Sequence, residues 1–201
     1  MKFASPSTRL ILAASLFSAL IGCASNESMP SNAESQSNAV AEPKTVVAVD
    51  ANNDELYEVH HDGRIYIFDD YTLYQNFNKL GHTPYILARI GAGPKGETIK
   101  FGLTSKDKKK QSGIASVDLY DGKLAPAENF YGEMRSEGRI YVFSTLQDMN
   151  DVRKIGEASY RFTDIGAGPK GETVVYVLNK SNKKKKPVAL MEAFKKRNSQ
   201  G

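Results

Sequence analysis

Tryptophan is missing from this sequence, cysteine occurs once and histidine three times among 201 residues. A single thiol makes neither a disulfide scaffold nor a cysteine cage around zinc. Long apolar runs are missing too. The main apolar stretch, Leu10 to Ile21, is about twelve residues, whereas a helix needs ~20 to span a bilayer. Acidic residues are absent before Glu27, and Lys44 is the one basic residue between positions 24 and 55. What remains is a charged chain, with 27 Lys and Arg against 23 Asp and Glu, and 40% hydrophobic residues. Such a composition is that of a globular protein and excludes a multispan membrane protein.

The start of the chain divides into three parts. Lys2 and Arg9 supply a basic opening, Leu10 to Ile21 an apolar segment, and small residues then lead to Leu20-Ile21-Gly22-Cys23. This order is that of an export signal. The four residues ending in Cys23 resemble the lipobox of bacterial lipoproteins. The resemblance implies cleavage before Cys23, a diacylglycerol thioether on its sulfur and an acyl chain on the new amino terminus. Ala24 rather than Asp follows the cysteine, which by the same resemblance implies transport to the outer membrane and a periplasm-facing anchor. Several acyl chains, at ~0.8 kcal/mol per buried methylene, hold a protein on a membrane without a spanning helix.

Loss of residues 1–22 leaves 25 basic and 23 acidic side chains, of which 24 and 17 fall after residue 55. An acidic stalk therefore carries a basic head. Residues 24–44 are Ser, Asn, Ala, Glu and Pro with little to bury, and 23–55 reads as a lipid-anchored flexible tether.

Beyond residue 55 the chain repeats itself at an offset of 75, with 22 identities in the 67 positions that pair 56–122 with 131–197. Gly63-Arg64-Ile65-Tyr66-Ile67-Phe68 returns as Gly138-Arg139-Ile140-Tyr141-Val142-Phe143, and Ile90 to Thr98 returns unchanged as Ile165 to Thr173. A tandem duplication accounts for this, with repeat 1 over 56–130 and repeat 2 over 131–201. Each repeat reads as a ββαββ module. Asp62-Gly63 and Glu137-Gly138 mark tight hairpins. Asp70 caps a helix bearing Tyr71, Tyr74, Phe77 and Leu80 and stopped by Gly81, while Thr145 and Gly156 bracket its counterpart. Tyr85 to Ile90 and Thr98 to Leu103 form a second hairpin, mirrored by Tyr160 to Ile165 and Thr173 to Leu178. Pro187 to Arg197 reads as a helix, and Ile114 to Tyr120 as its helical partner or a strand.

Both alternating faces of Arg64 to Phe68 are apolar, so this strand is expected to be covered on both sides. One cover is the helix; the sibling repeat is the expected other. The fold class is therefore α+β, with about eight strands in a pseudo-twofold body.

Gly91-Ala92-Gly93-Pro94-Lys95-Gly96 spells G-x-G-x-x-G. A dinucleotide site needs a helix directly after such glycines, and here a strand pattern follows. The kinase version needs an H-R-D loop and D-F-G, which are absent. A hairpin loop is the plain account. Its unchanged return makes Gly91, Gly93, Lys95 and Gly96, with Gly166, Gly168, Lys170 and Gly171, a candidate ligand loop whose backbone N–H groups face an anion. Two lysine runs, at Lys108, Lys109 and Lys110 and at Lys183, Lys184, Lys185 and Lys186, are either solvated loops or contacts to an anionic partner.

His60, His61 and His82 become Arg135, Ser136 and Glu157 in repeat 2. No H-E-x-x-H, nucleophile elbow or paired-acid motif occurs, so neither a metal nor a cofactor is expected. The expected function is a membrane-anchored, non-enzymatic envelope module that contacts a partner protein or an anionic polymer such as peptidoglycan or lipopolysaccharide. Nucleic acid is not an expected partner in an exported compartment. The alternative is an envelope hydrolase with a site between the repeats, in which His82 has specialised.

Overall fold

The structure, a computed structural model, describes residues 52–199. Cys23 and most of the tether lie outside the described residues. The elements run β1 (Glu55–His61), β2 (Arg64–Phe68), α1 (Tyr71–Leu80), β3 (Ile86–Arg89), β4 (Thr98–Gly102), α2 (Ala115–Tyr120), β5 (Tyr131–Ser136), β6 (Arg139–Phe143), α3 (Leu146–Ile155), β7 (Tyr160–Asp164), β8 (Thr173–Leu178) and α4 (Val188–Asn198). All eight strands belong to one sheet, in the order β3-β4-β2-β1-β5-β6-β8-β7. The α+β class, the duplicated module and the pseudo-twofold arrangement all stand. Within 114–120, Ala115–Tyr120 form a helix with Ile114 as its extended N-cap, so each module ends in a helix of its own.

Local chemistry explains the elements. Asp62 and Gly63 have φ of 49° and 67°, and Glu137 and Gly138 have φ of 52° and 74°. Two consecutive left-handed residues make the turn whose twist matches the hairpin it joins. Asp70 Oδ1 accepts from Leu73 N at 2.8 Å at the start of α1, and Thr145 Oγ1 accepts from Asp148 N at 3.1 Å at the start of α3. Gly81 and Gly156, both left-handed, close these helices with N–H bonds of 2.7 Å to Phe77 O and Val152 O.

The two modules meet edge to edge. β1 and β5 pair in parallel, with Glu55 opposite Tyr131 and Val59 opposite Arg135. Equivalent strands that lie side by side and parallel are related by an axis along the strands, in the plane of the sheet. Such an axis turns one face into the other. Accordingly Ile65 and Ile67 belong to one core with α2 and α3, whereas their equivalents Ile140 and Val142 belong to the opposite core with α1 and α4. The sibling repeat therefore does not lie over the face of β2, as the sequence led us to expect. Helices cover both faces, one from each module on each side, because the modules are joined by strand pairing.

The body begins upstream of residue 56. Asn53 Nδ2 donates to Ala125 O at 2.9 Å, and Tyr131 N donates to Asp54 O at 2.8 Å. These bonds tie the entry of the chain to the segment joining the two modules.

Candidate functional site

Strand direction sorts the loops between the two ends of the sheet. Tyr57 pairs with Phe68 and Gly102 with Ile86, while Gly132 pairs with Phe143 and Leu178 with Tyr160. The start of β1 and the ends of β4 and β8 thus share one end. Both lysine-rich loops leave from that end, where Asn52 enters. The β1–β2 and β5–β6 turns and both glycine loops occupy the other end.

The lysines divide by environment. Lys108 Nζ lies 4.2 Å from the centre of the Tyr85 ring, and its repeat-2 equivalent Lys183 lies 4.2 Å from that of Tyr160. Lys186 lies over Phe162, and Lys110 pairs with Asp107 at 2.7 Å. The pairing raises the Lys110 pKa and, outweighing burial, lowers that of Asp107. Lys109, Lys184 and Lys185 are exposed and have no side-chain partner among the described residues. Tyr85 and Tyr160 flank opposite edges of the sheet, seven strand steps or ~34 Å apart. The runs form two basic feet rather than one patch.

The glycine loops are closed on themselves. Gly93 N donates to Glu97 O at 2.9 Å, Gly96 N to Gly93 O at 3.0 Å, and Lys95 N to Glu97 Oε2 at 2.8 Å. Repeat 2 matches this, with Lys170 N to Glu172 Oε2 at 2.7 Å. A Cβ at Gly93 or Gly168 would come within 2.5 Å of the Glu97 or Glu172 carboxylate, which explains glycine there. The carboxylate of the loop's own glutamate occupies the place where an external anion would meet these N–H groups. Lys95 and Lys170 keep exposed side chains. For Glu172, burial resists charge, but the Lys170 N–H and Arg135 outweigh it and lower its pKa.

Two fully buried carboxylates at equivalent positions, Glu58 and Glu133, escaped the sequence reading. Glu58 Oε2 accepts from Arg153 Nε and Oε1 meets His60 Nε2, each at 2.6 Å. Burial opposes its charge, yet the Arg153 guanidinium and His60 prevail and lower its pKa. Glu133 accepts instead from Tyr74 Oη at 2.9 Å, Tyr131 Oη at 2.6 Å and Asn198 Nδ2 at 2.9 Å. Burial first, then the Glu133 charge, raises the pKa of both tyrosines well above the usual phenol range. The one signal in the sequence was Glu58 returning as Glu133 within otherwise divergent strands.

His60 is thus committed to Glu58, His61 lies 3.3 Å from Asp62, and His82 is exposed. Among the described residues no group of three or more His, Cys, Asp or Glu is placed to hold a metal, and no helix is long and apolar enough to cross a membrane. No protein-family model matches the chain, nor does any curated protein or solved structure.

Proposed function

We propose that this chain is a lipid-anchored lipoprotein of the outer membrane whose folded body acts by binding rather than by catalysis. In this reading Cys23 carries the diacylglycerol and N-acyl chains, and the lysine feet meet the anionic headgroups of the anchoring membrane. The observation that carries it is the shared end: both lysine-rich loops leave the sheet at the end where β1 begins. The start of the described chain at Asn52 and both basic feet thus share one end of the sheet. Lysines near an anionic surface contribute ~1 kcal/mol each, screened by salt. The aromatic rings beneath Lys108 and Lys183 restrict these side chains before any contact, which reduces the entropy lost on binding.

The test has two arms. A clickable palmitate analogue supplied to cells should label the chain, and Cys23→Ser should abolish the label. Unlipidated 23–201 carrying Cys23→Ser should co-sediment with phosphatidylglycerol vesicles at low salt and not with phosphatidylcholine. Reversing Lys109, Lys184 and Lys185 to Glu should weaken that binding by at least about 100-fold. Binding that ignores lipid charge, or survives the reversal, overturns the reading.

A further inference from the structure

The two modules share a buried glutamate but do not treat it alike. In repeat 1 the space above Glu58 is taken by Arg153, whose side chain is 5% exposed and whose Nε sits 2.6 Å from the carboxylate. The equivalent of Arg153 is Asn78, so above Glu133 no such guanidinium descends. A cleft of about 200 Å³ opens there, between α1, β5, the second glycine loop and the end of α4.

The lining of this cleft has a definite chemistry. Lys79, Arg135 and Lys170 reach it and no carboxylate lines it. Arg135 is the built element. Its side chain is 18% exposed, its Nε donates to Tyr74 Oη at 2.8 Å, and its Nη1 donates to Glu172 at 2.6 Å. Among the described residues its Nη2 has no partner. Lys170 Nζ stands 3.4 Å from Asn78 O, so the lysine leans across the mouth toward α1. Tyr71 and Tyr74 form an aromatic wall, and Gln75, Asn78 and Asn198 add neutral amides at the rim. Glu133 and Glu172 already neutralise much of Arg135. The two lysines therefore supply the excess charge that an incoming anion would meet.

We infer that this cleft is a binding site for a small organic anion, with a phosphate or carboxylate held by Arg135 Nη2, Lys79 and Lys170 and a sugar-sized body laid against Tyr71. Planar guanidinium and ammonium donors suit both oxyanions. An amphipathic aromatic wall and amide rim suit a hydroxylated ring, in the manner of small-ligand clefts with few polar groups. The site lies toward the glycine-loop end, away from the lysine feet, and it does not depend on the anchored reading.

Unlipidated 23–201 carrying Cys23→Ser is titrated with glucose 1-phosphate, glucuronate and neutral methyl glucoside, and followed by calorimetry and amide shifts. Saturable binding of at least one anion with no binding of the neutral sugar is expected, and the tighter anion names the headgroup. Asn78→Arg rebuilds the closed arrangement of the other module and should abolish binding. Lys170→Gln, at an exposed loop residue, should weaken binding about tenfold and stands as the test even where Asn78→Arg perturbs α1. Neither variant should alter vesicle binding by the lysine feet, which separates failure of this site from failure of the anchored reading. Saturation by neither anion, equal binding of the neutral sugar, or full affinity in Lys170→Gln overturns the proposal.

Discussion

Asp69, at the end of β2, is buried, and its carboxylate accepts the Ser116 N–H at 2.9 Å. Ile114 at the start of α2 has no capping side chain, so Asp69 supplies the cap from across the fold. Burial above all, with Asp107 and Asp70 adding to it and the Ser116 N–H opposing, pushes its pKa up to about 6. A carboxyl whose folded pKa lies above its unfolded value of ~3.9 favours folding in its protonated form. Its contribution is complete below about pH 4 and is lost as pH rises through 6. Asp69→Asn keeps the cap acceptor and removes the charge. Its stability relative to the parent should therefore climb between pH 4 and pH 7, by up to about 3 kcal/mol, in urea midpoints. A difference that stays flat across that range would contradict the argument. Carboxylates with lowered pKa, such as Glu58, act in the opposite sense in both proteins and cancel in the comparison.

Elements show what local sequence can and cannot carry. The caps Asp70 and Thr145, the stops at Gly81 and Gly156 and the turns at Asp62 and Glu137 were legible because each is satisfied within four residues. The two apolar faces of β2 were legible as well. Which body covered them was not, because parallel pairing of β1 with β5 joins residues 75 or more apart and leaves no turn signal between them. The lysine runs read as charge, while their docking on Tyr85 and Tyr160 rests on contacts more than twenty residues away. That docking has a further use. β3 and β7 are the edges of the sheet and are short, and a lysine beside an edge discourages pairing with another chain. Replacing Lys108 and Lys183 together by Thr should shift the protein toward larger species by light scattering at equal concentration. An unchanged size distribution would assign the edge protection elsewhere.

At the scale of the whole molecule, each buried glutamate is held by a helix of the other module: Glu58 by Arg153 of α3, and Glu133 by Tyr74 of α1. A half of the molecule is therefore incomplete in an asymmetric way. Two copies of repeat 1 paired through β1 would take Arg153 away from both Glu58 side chains and set only Tyr74 and Asn78 of the opposite α1 above them, with no guanidinium. A buried carboxylate stripped of its guanidinium partner in this way is destabilised by several kcal/mol. Two copies of repeat 2 would set Arg153 of each over Glu133 of the other. The fragment 128–201 should accordingly form a folded dimer, while 52–127 should stay largely unfolded, as read by circular dichroism and sedimentation. Equal behaviour of the two fragments would show that the crossed pairs do not govern assembly. The candidate cleft was invisible for the same reason. Asn78 looks unremarkable on α1 until Arg153 is seen filling the matching space.

The axis lying within the sheet has one more consequence. Twins related in this way never look out of the same window: whatever one offers to the left, its double offers to the right. The molecule consequently has a front and a back despite its two similar halves, and a change that carves a hollow on one flank leaves the other undisturbed.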